Sequence, residues 1–279
     1  MSTVKKRGPL LTAVVHTILI FLAAFQLFPL VVLFINTLRT DAEIKQTPLG
    51  FPEHASFINY AETWMKGSYA VAFRNSIFIG VCVIAIVIVG AGLAAYGVAR
   101  LKIPGRNFFI GYFMMGMSFP AFMFIVPLYY NFSEMGLVNT HASVIIIYAA
   151  SYIPFSMLLI RTFLVGIPRE LEEAGKIDGC SEFGVFLHVT MPLSLPILAT
   201  VALIVFVWCW NEFLWANTFL TVDDIRTVST RFYKFVGEWS RDLAKIYTAG
   251  MIALGPIIIL YLCLQKSFIE GLTQGGVKG

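Results

Sequence analysis

The residues best placed to do chemistry in this chain lie in a charged island between two long apolar runs. The island, Glu170–Pro192, carries three carboxylates within its first four residues: Glu170, Glu172 and Glu173. Carboxylates in the first turn of a helix are favoured by the positive end of its dipole, so the island is expected to begin with a helix. Anionic lipid repels such a cluster, which argues against a loop that only lies on a membrane surface. The segment, called the acidic loop below, therefore offers negative charge for an electrostatic contact.

The acidic loop is expected to fold as a short helix, a turn and a second short helix. Positions i, i+3, i+4 and i+7 of the first helix share one face: Leu171, Ala174, Gly175 and Asp178. The two small residues at its centre would let another surface approach the backbone closely. Gly179 suits the left-handed position that ends a helix, Phe183–Val189 suits the second helix, and Pro192 precedes the next apolar run.

The sequence pattern offers no candidate for catalysis or metal binding. Its four histidines, His16, His54, His141 and His188, are scattered without ligand or triad spacing. The cysteines form no C-x-x-C pair, and no G-x-x-x-x-G-K-[ST] phosphate loop is present. The net charge of +4 is spread among loops, with no basic tract suited to nucleic acid. We therefore predict no catalytic residue, no metal site, no cofactor bound by this chain and no nucleic-acid partner.

The composition is that of a polytopic membrane protein. Of 279 residues, 58% are hydrophobic and 13% charged, whereas soluble domains carry roughly 25% charged residues. A helix of about 20 mostly apolar residues crosses the hydrocarbon core. About six such windows occur: Leu10–Ile35, Ile77–Ala99, Phe108–Tyr130, Ala142–Phe163, Leu193–Leu220 and Ile246–Leu264. They lack β-barrel alternation, so the predicted fold is all-α with about six transmembrane helices, the third kinked at Pro120 and Pro127.

Polar side chains inside the apolar windows are candidates for lining a substrate path. Asn211, Glu212 and Asn217 lie in the outer half of the fifth window. An ionisable group in a membrane span usually faces a bundle interior or a wet cavity. The alternative, hydrogen bonding between helices, is the commoner role for such residues. Tyr152 and Ser156 of the fourth window are candidates for meeting a substrate hydroxyl, again with a structural role as the alternative.

The expected orientation follows from positive charges near the helix ends. Lys5–Arg7 precedes the first window and Arg100–Arg106 fills the second connection, whereas Asn131–His141 contains neither Lys nor Arg. A later loop, between the fifth and sixth windows, is also basic, but it carries acidic residues too and follows most of the helices. We therefore expect the N- and C-termini and the acidic loop to be cytoplasmic. The first apolar run has no A-x-A site, which favours a retained helix over a cleaved signal.

The acidic loop resembles the EAA loop of permease subunits in binding-protein-dependent ABC importers. That motif reads E-A-A-x-x-x-G, nine residues, then I-x-L-P. The corresponding residues here are Glu173-Ala174-Gly175, Gly179 and Val189-Thr190-Met191-Pro192. Gly175, Val189 and Met191 replace the motif's Ala, Ile and Leu, and each change conserves size or apolarity. The resemblance implies that the chain is a membrane conduit driven by another protein's ATP hydrolysis.

Further segments are similar to the carbohydrate-uptake subgroup, and the whole chain resembles the smaller permease of maltose-type importers. These segments are Ala94-Ala95-Tyr96 with Ala99-Arg100 and Pro104-Gly105-Arg106, Gly136-Leu137 with Asn139-Thr140, Trp210-Asn211-Glu212-Phe213, and Gly271-Leu272-Thr273 with Gly276-Val277-Lys278-Gly279. The resemblance implies a type I ABC importer permease fold with a cytoplasmic coupling helix. The implied divisions are an N-terminal helix with an external segment (1–72), a permease core (73–266) and a cytoplasmic tail (267–279).

The resemblance also implies the partners. A second permease would form a pseudo-symmetric heterodimer with this chain around one path, in the inner membrane of a bacterium and in contact with its lipid. Two ATPase subunits would bind ATP and Mg and dock beneath, and an external binding protein would deliver the sugar. The implied ATPase-docking residues are Glu172, Glu173, Ala174, Gly175, Asp178, Gly179 and Pro192, with Glu173 meeting a basic residue. The tail Gln265–Gly279 would reach towards the ATPases.

Three other functions remain open at this point. An ion-gradient-driven carrier typically shows repeated halves and paired intramembrane charges, and neither is visible in the sequence. A membrane-embedded enzyme would need clustered His, Asp or Glu near one membrane face. An importer permease for a non-sugar substrate, such as glycerol-phosphate, fits the docking pattern as well as a sugar permease does.

Overall fold

The computed structural model describes the backbone of residues 9–276 and the side chains of residues 10–263. Helices are the only regular structure within these bounds. The α-helices are α1 (Pro9–Thr37), α2 (Asp41–Gln46), α3 (Ile58–Lys66), α4 (Tyr69–Arg100), α5 (Arg106–Ser118), α6 (Ile125–Glu134), α7 (His141–Gly166), α8 (Glu170–Ile177), α9 (Glu182–Val185), α10 (Met191–Leu193), α11 (Leu195–Asn211), α12 (Leu214–Phe219), α13 (Val228–Glu238) and α14 (Leu243–Gly276). The predicted basic segment Lys5–Arg7 and the last tail residues, 277–279, lie outside the described residues.

The long apolar helices confirm the all-α membrane fold. Among the described residues, four helices are long and apolar enough to cross a bilayer: Leu10–Thr37, Tyr69–Arg100, His141–Gly166 and Leu243–Cys263. Two further candidates are helix pairs bent at a short break, and counting each pair as one span gives six. The sequence windows therefore identified the right segments of the chain, and the differences lie in how two of them are built.

The third apolar window is broken, where the sequence suggested only a kink. α5 ends at Ser118, a 3₁₀ turn covers Ala121–Phe124, and α6 leaves at an angle of 83°. Pro120 explains the break because it offers no N–H and pushes the residue before it into extended backbone. Phe119 is extended accordingly, with φ −81° and ψ 130°.

The fifth apolar window is also interrupted. α11 ends at Asn211, Glu212 has extended backbone with ψ 126°, and α12 begins at Leu214. At its other end, α11 meets the preceding helical segment Glu182–Leu193 at a bend of 74°. Neither proline nor glycine occurs at the Glu212 break, and the side-chain bonds that Glu212 makes there are described with the cavity below.

The chain divides into two compact units, and the three sequential segments implied by the resemblance stay a prediction. The first combines the chain up to Gly67 with Phe232–Gly255, and the second combines Ser68–Arg231 with the chain from Pro256 onward. The division follows contacts between residues that are far apart in the sequence. In the first unit, for example, the Leu243 amide donates to the Asp41 carboxylate over 2.8 Å.

The first unit contains the segment with the short helices α2 and α3, which follow α1. α2 begins with a capping box in which Thr40 and Glu43 bond each other's backbone amides. Amides of Thr40 and Glu53 donate to the Glu43 carboxylate and lower its pKa to about 2. Arg39 is buried and donates to Asn36, Thr47 and a backbone carbonyl, so the segment is an ordered structure.

The second unit has its core where α4, α7 and α11 pack together. Buried residues recur every fourth position along α4: Val83, Val87, Ala91 and Ala95. They pack with buried residues of α7 and α11 such as Met157, Ile160 and Val201. This stripe of buried side chains fixes the ends of α4, α7 and α11, and the acidic loop connects α7 to α11.

Candidate functional site

The acidic loop folds as expected, with α8, a turn at Gly179 and a returning helical segment. Gly179 has φ +90°, which confirms the predicted left-handed position. Its amide donates to Lys176 O over 3.0 Å, and the Cys180 amide donates to Gly175 O over 3.0 Å. These two bonds satisfy carbonyls at the end of α8 in the Schellman arrangement. Ser181 then caps α9 by accepting from the Gly184 amide over 3.1 Å.

The returning segment is wider than the predicted α-helix. Phe186–Thr190 forms a π-helical turn between α9 and α10. Pro192 follows immediately, and because it has no N–H it cannot continue an α-helical ladder. The expanded turn places Val185 and Phe186 inward and leaves Leu187 exposed.

α8 presents two faces with different environments. Glu173, Ala174, Ile177 and Asp178 are exposed, whereas Glu172 and Gly175 are buried. The side chain of Ile177 is 85% exposed and Phe183 nearby is 64% exposed. Large exposed apolar residues beside a charged group point to a surface that binds a partner. Sequence reasoning missed Ile177 and Phe183, although an isoleucine at a polar helix end was a readable signal.

Gly175 provides a close approach, but to the chain's own returning segment. A Cβ at Gly175 would lie 3.1 Å from Val189 Cγ2 and 3.6 Å from Val185 Cγ2. The face expected to combine Leu171, Ala174, Gly175 and Asp178 is therefore divided, with Gly175 inward and the others exposed. Gly175 holds the two arms of the loop together and is not open to an outside partner.

Glu172 also points inward, where the sequence suggested a docking residue. Its Oε1 lies 2.9 Å from Arg100 Nε at the end of α4. The Thr190 hydroxyl donates to the same oxygen over 3.2 Å. A carboxylate committed to these two internal partners is not free for an external one, so the outward acidic groups near α8 are Glu170, Glu173 and Asp178.

The second candidate site is a cavity of about 950 Å³ in the second unit. Of the five predicted path residues, Tyr152, Asn211 and Glu212 line it. Ser156 is buried outside the lining, and Asn217 is also not among the lining residues. The rest of the wall is mainly apolar and aromatic, which is the usual make-up of a ligand pocket with a few polar groups.

Aromatic rings form one wall of the cavity. Trp208 lies 5.1 Å from Tyr152 and 5.1 Å from Phe155, measured between ring centroids. Sequence reasoning did not select Trp208 or Phe155, because an aromatic residue in an apolar window has no distinguishing pattern. Asn211 is exposed beside them, and its Nδ2 donates to Val207 O over 2.9 Å.

Glu212 lines the cavity and also holds the break between α11 and α12. Its carboxylate accepts from the amides of Trp215 over 2.9 Å and Ala216 over 3.0 Å. The Tyr148 hydroxyl of α7 donates to it over 2.5 Å. Glu212 therefore caps α12, satisfying amides that have no partner inside that helix. Of the two roles considered for Glu212, these bonds support hydrogen bonding between helices, and the path-lining role stays a prediction.

A metal site does not emerge in the part of the chain that is described, since no group of three or more His, Cys, Asp or Glu side chains comes together there. The acidic loop offers a charged, exposed face, and the cavity is a mostly apolar pocket. Neither provides a nucleophile paired with a base.

Comparison with known proteins gives consistent matches over almost the whole chain. Residues 86–273 match the family model described as binding-protein-dependent transport system inner membrane component. The melibiose/raffinose/stachyose import permease of Bacillus subtilis (strain 168) is 34% identical over 259 residues, covering 92% of this chain and 93% of that protein. The trehalose transport system permease of Mycobacterium tuberculosis (strain CDC 1551 / Oshkosh) is 30% identical over 269 residues, covering 96% and 97%.

The fold is similar to that of a solved bacterial ABC transporter involved in the import of the acidic polysaccharide alginate. The match has a TM-score of 0.82 and covers 96% of this chain and 100% of that one. Sequence identity is 23%, so this likeness shows the fold alone.

Proposed function

The chain belongs to the family of binding-protein-dependent transport system inner membrane components, and we propose that it conducts a sugar through a bacterial inner membrane. It is a permease subunit of an ABC importer. Relatives named for melibiose, raffinose and stachyose, for trehalose and for diacetylchitobiose favour a sugar or oligosaccharide as substrate. The family assignment therefore favours an ABC importer over a carrier driven by an ion gradient.

The cavity supports a neutral sugar in preference to glycerol-phosphate. Trp208, Tyr152 and Phe155 offer ring faces against which the apolar C–H face of a pyranose can pack. Asn211 and Ser151 supply polar groups for hydroxyls. The lining residues include the carboxylate of Glu212 and no Lys or Arg, so a phosphate would meet a like charge without a counterion.

The outward face of α8 is the proposed contact with the ATPases. It carries Glu173, Ala174, Ile177 and Asp178, a carboxylate pair beside an exposed apolar residue. We assign Glu173 to a basic residue of the ATPase and Ile177 to an apolar pocket there. Gly179 and Pro192 shape the loop and need not touch the partner. The single observation carrying this assignment is that Glu173 and Ile177 are exposed while Glu172 and Gly175 are buried.

The proposed assembly has this chain and a second permease around one path, two ATPases beneath and a binding protein outside. The chain itself carries no ATPase motif, so ATP and Mg would be bound by the partners alone. Reconstituted vesicles test this: sugar uptake should require ATP and all components. Omitting this chain should abolish uptake, whereas uptake in its absence would overturn the proposal.

The orientation of the chain can be tested by cysteine labelling in a variant without its four native cysteines. A cysteine at Glu134, exposed at the end of α6, should react from outside intact cells. One at Asp178, exposed beside α8, should react only after the cells are permeabilised. Asn139 is unsuitable for a probe because its Oδ1 accepts from Thr221 and its φ is +61°. Labelling of Asp178 in intact cells would contradict the cytoplasmic placement.

The turn at Gly179 should tolerate alanine better than valine. No neighbouring atom would lie within 4 Å of an added Cβ, so the cost arises from the backbone alone. A left-handed residue with a side chain loses about 1–2 kcal/mol, and β-branching adds to this. We expect Gly179→Val to reduce co-purification with the ATPases more strongly than Gly179→Ala. The matched control is Gly166→Val, also in open space but without a positive φ. Equal yields for the two Gly179 variants would contradict the argument.

A further inference from the structure

We propose that Arg100 and Glu172 form a latch that transmits movement of the acidic loop to the helices around the cavity. Both are positioning residues, since neither is exposed to a partner nor lines the cavity. The inference rests on the proposed function, because the movement concerned is the one imposed on α8 by the ATPases. It assigns the transmitting contact to particular side chains, Arg100, Glu172 and Thr190.

Arg100 joins the end of α4 to the end of α7. It is the last residue of α4, and its side chain is 4% exposed. Its Nη2 donates to Leu164 O over 2.5 Å and to Ile167 O over 2.8 Å. Leu164 O also accepts from the Ile167 amide over 3.0 Å, and Arg100 adds a donor from a neighbouring helix at this helix end, where carbonyls lack their usual intrahelical partners. One side chain thereby fixes the relative position of two core helices.

The same guanidinium holds the acidic loop. Its Nε lies 2.9 Å from Glu172 Oε1, and the Glu172 side chain is 10% exposed. Thr190, just before α10 and α11, donates to that oxygen over 3.2 Å. A single carboxylate thus connects α8 to the start of the α10–α11 segment and, through Arg100, to α4 and α7. The cavity residues Tyr152 and Asn211 lie on two of these connected helices, α7 and α11.

The positions of Glu172 and Glu173 explain how force would pass through α8. Consecutive residues of an α-helix point about 100° apart. Glu173 is exposed towards the proposed partner, while Glu172 is buried against Arg100. Because Glu172 and Glu173 are adjacent residues of the same helix, a displacement of α8 applied at Glu173 also moves Glu172. The buried charge pair resists separation, since removing either partner leaves the other charge uncompensated.

A purely local role makes a different prediction from transmission. If the pair only stabilised the fold, its loss would lower assembly, ATP hydrolysis and uptake together. If it transmits movement, its loss would leave assembly and hydrolysis in place and lower the sugar transported per ATP. The ratio of uptake to hydrolysis separates the two roles, and a reduction in protein yield leaves this ratio unchanged.

The experiment compares reconstituted complexes carrying Glu172→Gln, Arg100→Lys and the double variant Arg100→Gln/Glu172→Gln. We expect Glu172→Gln to assemble and hydrolyse ATP within about twofold of the unmodified complex, while uptake per ATP falls by about tenfold, equivalent to about 1.4 kcal/mol of coupling. Uptake per ATP should fall similarly in the Arg100→Lys complex, because an ammonium lacks the planar fork that serves both carbonyls and the carboxylate. The double variant should lose at least as much uptake per ATP as Glu172→Gln does, because it also removes the Arg100 bonds to Leu164 O and Ile167 O.

Lys102→Gln is the matched control, because it removes an exposed positive charge two positions along the same connection. It should leave uptake per ATP unchanged. An unchanged ratio in both Glu172→Gln and Arg100→Lys would overturn the latch. If Glu172→Gln fails to assemble, Arg100→Lys decides, because it keeps both charges and removes only the planar fork: an unchanged ratio there would overturn the proposal, whereas about a tenfold loss would support it. Absence of ATP-dependent uptake in the unmodified complex would instead overturn the proposed function.

Discussion

Replacing Glu173 with lysine is expected to lower sugar uptake strongly while the chain still inserts into the membrane. Glu173 is exposed on the face of α8 that carries Ile177 and Asp178. The internal ion pair with Arg100 is made by Glu172 and not by Glu173. A lysine there would meet the proposed basic residue of the ATPase as a like charge. Such a reversal at a charged contact costs several kcal/mol, so we expect uptake to fall by about 100-fold, equivalent to about 2.8 kcal/mol.

The measurement pairs uptake in vesicles with co-purification of the ATPases. Glu173→Lys should lose both, and Glu173→Gln should lose less because it removes the attraction without adding repulsion. Glu134→Lys serves as control, since it reverses an equally exposed glutamate at the other expected face of the membrane. Normal ATPase association by Glu173→Lys would remove Glu173 from the docking contact. Loss of insertion would show that the change acts on folding.

The turn and the ends of the acidic loop were predictable from sequence because local chemistry determines them. Gly179 accepts a positive φ at little cost, and Pro192 cannot extend a helical ladder. The division between Glu172 and Glu173 was not predictable in the same way. Two adjacent glutamates have the same propensities, and the difference is set by Arg100, which α4 brings to the loop from elsewhere in the chain.

The apolar windows located the membrane helices because hydropathy averages over many residues. The same averaging hid the two interruptions. Pro120 indicated the first interruption in the sequence, but the structure shows a break of 83° where only a kink was expected. At Glu212 the local sequence reads as continuous helix, and the interruption depends on a carboxylate that accepts from Tyr148 of another helix as well as from α12.

The cavity shows a similar limit. Polar residues stand out in an apolar window, so Asn211 and Glu212 could be chosen from sequence as path candidates. Trp208 and Phe155 could not, because aromatic side chains in a membrane span usually pack against other helices or lipid. Only the packing of α7 against α11 places the Trp208 ring beside the rings of Tyr152 and Phe155. The sequence therefore indicates polar contacts better than it indicates the apolar wall that accompanies them.

Glu212→Gln is expected to reduce the maximal rate of uptake by at least about tenfold. Both carboxylate oxygens accept hydrogen bonds, one from the Trp215 amide and the other from the Ala216 amide and the Tyr148 hydroxyl. A glutamine offers one oxygen, so its NH₂ group must face a donor and at least one bond is lost. Hydrogen bonds to a charged group contribute about 1.5–3 kcal/mol, which corresponds to roughly a 10- to 100-fold effect on a population or rate.

Asn211→Ala is the informative comparison, because Asn211 is exposed to the cavity and its single described contact is with its own helix. We expect it to lower the rate by less than Glu212→Gln does. In both variants the sugar concentration for half-maximal uptake should change little, since the external binding protein supplies most of the affinity in the proposed assembly.

Uptake kinetics in vesicles containing every component separate the possible roles. A large shift in the half-maximal concentration at an unchanged maximal rate would make this wall a primary affinity site. An unchanged rate in Glu212→Gln would show that the cap on α12 does not limit transport. Tyr148→Phe refines the test, because it removes one donor and leaves both backbone amides bonded to Glu212. Its rate should lie between those of the unmodified protein and Glu212→Gln, since the break between α11 and α12 would keep its cap but lose its tie to α7.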